Sequence, residues 1–216
     1  MKNSKRFRSL TKRLNALRKH LLPTKFSPTG VYTDKQMDMA RGFRVLAHAE
    51  IESYLEEIAW EAVNKRVGEW RKTRKPNDLV ICFLACYHGG WEDLNEDPES
   101  EKLKPLGTKL PVKHVKAAQD SAEEVVRLAT NNYWELIKKN HGVREKNLRL
   151  LLLPAGIRMA DLDQTWISTL DSFGEQRGAA AHKSAVQVNV DPKSELDTVN
   201  FIMTGLKQLD EMMLKV

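Results

Sequence analysis

Apolar residues along this chain recur at spacings of three and four almost throughout, the period of one face of an α-helix. Phe7, Leu10, Leu14, Leu17 and Leu21 mark a first helix, which Pro23 and the Ser27-Pro28-Thr29-Gly30 stretch end. Thr33 followed by Gln36 has the form of a capping box and predicts a long second helix to about Val67. Its apolar stripe runs through Val45, Ile51, Leu55, Ile58 and Ala62, with Gly42 as an interruption. Asn77 or Asp78 can cap a third helix, Leu79 to Tyr87, nearly all apolar. From Gly89 to Pro111 the pattern fails, with two adjacent glycines, six acids between Glu92 and Glu101, and three prolines, so a long irregular loop is expected. Periodicity returns from about Val112 to Asn140, through Val115, Ala118, Ala122, Val125, Leu128, Trp134 and Ile137, and stops at Gly142. A shorter helix, Arg144 to Leu153, ends before Pro154 and Gly156, and another runs from about Ala160 through Trp166, Leu170 and Phe173 towards His182. The last starts after Asp191-Pro192 and carries Leu196, Val199, Ile202, Leu206, Leu209 and Met213. Two-residue alternation is confined to Val186-Val188-Val190. The expectation is an all-α, up-and-down helical bundle with a long second helix and no significant β-sheet.

Composition narrows the class. With 216 residues, 41% hydrophobic and 30% charged, the chain can bury a substantial core. Its longest apolar runs, such as Leu148 to Gly156, are too short to span a bilayer, and the N-terminus lacks the apolar core and cleavage site of a secretory signal. Two cysteines, Cys82 and Cys86, make no disulfide framework and suit a reducing compartment, so a cytoplasmic protein is expected. The net charge of +6 changes the picture more. Residues 1–30 hold nine Lys and Arg and no acid, whereas the other 186 residues hold 26 basic and 29 acidic side chains. This divides the chain into a basic amphipathic arm, residues 1–30, and a helical domain, residues 31–216, with the acidic loop at 89–111. The arm has three readings: a helix whose leucines pack on the domain while its basic side is solvated, a phosphate-contacting RNA-binding arm (Lys5, Arg6, Arg8, Lys12, Arg13, Arg18, Lys19), or an Arg-rich targeting peptide.

Few residues form a recognisable chemical motif. There is no phosphate-binding loop, no dinucleotide fingerprint, no His-Glu-x-x-His and no nucleophile-elbow serine. Cys82, Cys86 and His88 form a loose cluster without an evident fourth ligand, and cysteines one turn apart in an apolar helix act as small hydrophobes, so no metal site is assigned. An arginine and a histidine with four to six residues between them occur in that order three times, at Arg13/His20, Arg41/His48 and Arg177/His182. Roughly one such match is expected from composition alone, so spacing does not choose among them.

Context does. The segment from Trp166 to His182, with Arg177-Gly178-Ala179-Ala180-Ala181-His182 at its end, resembles the late Arg-x4–6-His segment of the RiboL-PSP-HEPN family. Two upstream blocks share the resemblance, in the right order: Ala47 to Ile58 on the second helix, and the Leu-rich Asn147 to Ile157, ending in Pro-Ala-Gly-Ile. The resemblance implies a metal-independent endoribonuclease without cofactor, working as a homodimer with a composite site, and commonly a toxin or effector in defence against phage and plasmids, paired with an antitoxin or defence partner. It assigns catalysis to Arg177 and His182. The chemistry suits those residues, because RNA supplies its own nucleophile, an imidazole can move the protons, and a guanidinium can bear the charge on phosphorus. One departure is Gly178, where active relatives usually carry a polar residue, so an inert HEPN module that binds RNA, nucleotide or a protein is the alternative. Five residues of ideal helix turn the chain through ~500°, leaving Arg177 and His182 about 140° apart. Either Gly178 bends the backbone, or arginine and histidine come from different subunits. The Gly178–Ala181 run would admit a second helix closely. His48, Glu52 and Glu56 form an i, i+4, i+8 stripe on the second helix, so Glu52 or His48 is a supporting candidate, and Glu175 is another by proximity in sequence.

Overall fold

Five of the helices begin where a side-chain oxygen takes one of the amide protons that a first turn leaves unbonded. In the computed structural model, which describes residues 3–75, 77–88, 118–182 and 190–215 (backbone alone for 87–88, 118–121 and 179–182), these caps define the element order. Ser4 Oγ accepts from Phe7 N–H at 3.0 Å and opens α1 (Lys5–Leu21). Thr33 and Gln36 exchange both capping-box bonds, at 3.3 and 3.0 Å, before α2 (Asp34–Thr73). Asn77, rather than Asp78, caps α3 (Asp78–His88) through Val80 N–H. Then come α4 (Ala118–Lys138), α5 (Glu145–Leu152) and a single 3₁₀ turn at Met159–Asp161. Asp163 takes Trp166 N–H at the head of α6 (Gln164–His182), and Asp191 takes Ser194 N–H at the head of α7 (Pro192–Met213), with Pro192 in the first turn. Among the described residues the chain is an all-α helical bundle of seven helices with no strand. None of these helices is long and apolar enough to cross a membrane. The expected loop at 89–111, the residues 112–117 expected to open α4, and Val186 and Val188 lie outside the described residues.

The described chain forms two compact units: Met1–Ile58 with His141–Leu148 and Ala160–Lys215, and Ala59–Asn140 with Arg149–Met159. In the second, α3 lies against α4, Phe83 meets Tyr133 edge-on at 5.8 Å, and Tyr133 Oη donates to Leu151 O at 2.6 Å. Helix α2 runs six residues beyond the expected Val67 because its end has partners: Trp70 is buried, and Arg71 and Arg74 both bond the Glu123 carboxylate at 2.8 Å. Those tertiary contacts outweigh the roughly 1 kcal/mol that Gly68 costs in a helix interior.

The first unit is organised by α7. Helix α1 buries Phe7, Leu10, Leu14 and Leu17 and packs on α7, so the leucines of the basic helix do pack on the domain. Asp210, buried on α7, accepts Ser4 N–H at 2.8 Å and Tyr54 Oη–H at 3.0 Å, joining the start of α1 and the middle of α2 to one carboxylate. One further carboxylate on α7, Glu195, is held by Arg44 of α2 in a buried two-pronged ion pair, with Nε to Oε2 at 2.7 Å and Nη2 on Oε1. Removing one partner of such a pair leaves a bare buried charge and costs about 3–5 kcal/mol. Helix α6 meets α7 at Gly205. Trp166 of α6 donates Nε1–H to Ile202 O at 3.0 Å, and a Cβ on Gly205 would lie 2.3 Å from the indole ring.

Gly205→Ala gives a direct check of this contact. Helix propensity alone would favour alanine by about 1 kcal/mol. The clash is with a buried, rigid ring, so the overpacking cost of about 1–3 kcal/mol or more should win. Thermal unfolding should show a Tm lowered by roughly 2–10 °C, and an unchanged or raised Tm would show that the α6–α7 contact is not close.

Candidate active site around Arg177

Two helix faces meet within the first unit. His48, Glu52 and Glu56 follow one another at four-residue intervals along α2, and Phe173 and Arg177 do the same along α6. The faces touch where the His48 ring packs on Phe173, centroids 5.8 Å apart. His48 is 1% exposed; its Nδ1 lies 3.5 Å from Glu52 Oε2, too far to bond, and has no hydrogen-bond partner among the described residues. Arg177 is half-buried, and its Nε is likewise buried and without a partner among the described residues. A third element completes the surround. The segment between α4 and α5 brings Gly142, whose backbone N–H donates to the Glu52 carboxylate, and His141, whose charge also reaches Glu52.

Electrostatics set the protonation states. Burial, and then the positive charge of Arg177, push the His48 imidazole down to about 4, so it is neutral under ordinary conditions. Burial and the like charge of Glu56 raise Glu52, against the opposing pull of Arg177, His141 and the Gly142 N–H. The site therefore holds a cation with an unused donor beside a neutral imidazole and a carboxylate whose proton is held more tightly than usual. Such an arrangement can bind an oxyanion at Arg177 and pass protons around it.

The residues expected to carry function are distributed unevenly. Arg177, His48 and Glu52 come together as described. His182 is the last residue of α6, and its side chain lies outside the described residues, as do those of Ala179, Ala180 and Ala181. Helix α6 runs unbroken through Gly178, and a Cβ there would meet nothing within 4 Å. Glu175 is exposed, and its charge is felt by Arg144. On the basic helix, Arg6 and Arg13 pair with Glu57 and Glu50 of α2 at 2.6 and 2.8 Å, while Lys5, Arg8, Lys12, Arg18 and Lys19 are exposed. Cys82 and Cys86 are free, half-buried and hydrogen-bonded to each other; the His88 side chain lies outside the described residues. Among the described residues no group of three or more His, Cys, Asp or Glu gathers as a metal site. Sequence reasoning passed over His141 and Gly142, treating the glycine as a helix stop. The available signal was a polar Asn-His-Gly run between two helices.

The sequence profile of the RiboL-PSP-HEPN family, a family of the HEPN superfamily, matches residues 6–215, so the chain belongs to that family. The match takes in nearly all of the basic helix α1 as well as the rest of the bundle. No curated protein and no solved structure matches the chain.

His48 gives a pH signature. Its folded value, about 4, lies below the unfolded value of 6.5, so the unfolded chain takes the proton first. The stability conferred by neutral, buried His48 is complete above pH 6.5 and is lost as pH falls towards 4. The shift corresponds to about 3 kcal/mol. Denaturant unfolding across this window should show the wild type losing roughly 2–3 kcal/mol more than His48→Gln, whose amide does not titrate. Equal losses in the two proteins would mean that His48 is not desolvated.

Proposed function

We propose that this chain is a metal-independent endoribonuclease that cleaves RNA by attack of the 2′-OH on the adjacent phosphate. The observation that carries the reading is the cationic Arg177, half-buried beside the neutral imidazole of His48, with its Nε unpartnered among the described residues. A guanidinium stays charged at any working pH and its fork suits a phosphate, and Arg177 as a residue is half-buried, not enclosed. As the 2′-oxygen bonds to phosphorus, its proton leaves to a base. As the P–O5′ bond breaks, O5′ receives a proton, giving a 2′,3′-cyclic phosphate and a 5′-OH. Arg177 bears the charge on the non-bridging oxygens, and His182 moves one of the two protons. Both residues lie on α6, and five residues of ideal helix put two positions about 140° apart around the axis, so in this reading the composite site takes His182 from a second copy of the chain. Family membership supports a role as a toxin or effector in defence against phage or plasmids.

A second reading, an RNA-binding HEPN module without cleavage, is favoured by Gly178, which puts no side chain where active relatives present a polar one. Purified protein incubated with total RNA in EDTA separates the two. Cleavage to cyclic-phosphate ends, lost by at least ~10²-fold in Arg177→Ala and in His182→Ala, supports the enzyme. RNA that stays intact while binding is retained favours the module. In cells, expression should arrest growth, and Arg177→Ala should relieve the arrest.

A further inference from the structure

The proposed cleavage moves two protons, one off the 2′-OH and one onto O5′, and His182 accounts for one of them. We propose that His141 is the second proton-transfer group at the phosphate bound by Arg177, an inference that rests on the ribonuclease reading above.

Three separate contacts hold the His141 segment at this place. On the α2 side, the N–H of the next residue, Gly142, donates to the Glu52 carboxylate. On the α6 side, Arg144 Nε and Nη2 reach the two Asp171 oxygens at 3.3 and 3.4 Å, and Glu145 N–H donates to Asp171 Oδ1 at 2.9 Å. Between these, the backbone comes so close to α6 that a Cβ on Gly174 would lie 3.0 Å from Arg144 Cγ and 3.4 Å from Val143 Cγ2. Gly174 stands one turn before Arg177 and Gly178 on α6, so the segment is docked beside Arg177 itself. Val143 is fully buried and anchors it, whereas His141 stays exposed.

The charges around His141 suit the task. Glu52 feels both His141 and Arg177, and the titratable groups gathered there are Glu52, Glu56, His48 and Arg177. His48 cannot serve in place of His141, because it is 1% exposed and out of reach of a polymer. Substrate can reach His141, and the neighbouring carboxylate can orient and pair with its imidazolium. One imidazole takes the 2′-OH proton as the O2′–P bond forms. The other, as imidazolium, gives its proton to O5′ as the P–O5′ bond breaks. The proton count closes, and no further reagent is needed.

The test is RNA cleavage in EDTA as a function of pH by wild type, His141→Ala and His141→Gln. Both variants should keep the wild-type thermal midpoint, since the residue is exposed. Both should lose about 10²–10⁴-fold in kcat while RNA Kd changes by less than about threefold. One limb of the bell-shaped pH profile should vanish, and imidazole added to His141→Ala should restore part of the rate. Variants within about twofold of wild type with both limbs kept, or slowed solely through weaker RNA binding, overturn the role of His141 and leave the ribonuclease standing. A wild type that leaves RNA intact overturns the ribonuclease reading, and this inference with it.

Discussion

The buried pair of Arg44 and Glu195 sets the register on which the site depends. Sliding α2 along α7 by one turn would strip both charges of their partner in a place without water, at a cost of several kcal/mol. An apolar seam of Leu, Ile and Val tolerates such slips far better, because one methyl contact substitutes for another. His48 lies one turn after Arg44, and Glu52 one turn after that. The ion pair therefore fixes how far along α7 the polar stripe of α2 falls. Asp210, bonded to Ser4 and Tyr54, makes the same kind of tie nearer the other end of α7. Trp166 against Gly205 then places α6, and with it Arg177.

Satisfaction of polar groups divides the first unit into frame and site. In the frame the buried charges are used up: Arg44 and Glu195 on each other, Asp210 on two donors. Elsewhere in the first unit the His48 Nδ1 and the Arg177 Nε, like the Tyr32 Oη, are buried and unbonded among the described residues. A core selected for stability alone would bond them or replace them with hydrocarbon. Their persistence in a folded chain fits a place where a ligand supplies the missing acceptor, with the rigid frame meeting the cost of keeping it open.

Helix α1 shows how one pattern can serve two ends. Its apolar face is absorbed in packing, since Phe7, Leu10, Leu14 and Leu17 are all buried, and the family match begins within it. Its basic face divides: Arg6 and Arg13 turn to acids of α2, and the lysines and remaining arginines face solvent. The net charge of residues 1–30 thus overstates the positive surface they present. A helix built into the bundle also offers its exposed cations in a fixed row, which a flexible tail does not.

The sequence by itself determined the helices and their order, because period, caps and breakers act over a few residues; Thr33 with Gln36, Asp191 with Pro192, and the stop at Gly142 are each local. The three blocks at Ala47–Ile58, Asn147–Ile157 and Trp166–His182 likewise sufficed to indicate the family. Tertiary structure decided the rest. That Arg44 meets Glu195, 151 residues away, follows from no periodicity. That Arg177 looks upon His48 and Glu52, and that Gly142 brings His141 to the same carboxylate, depends on the docking of three separate stretches of chain. A site is a statement about distance through space, and a linear pattern carries distance along the chain.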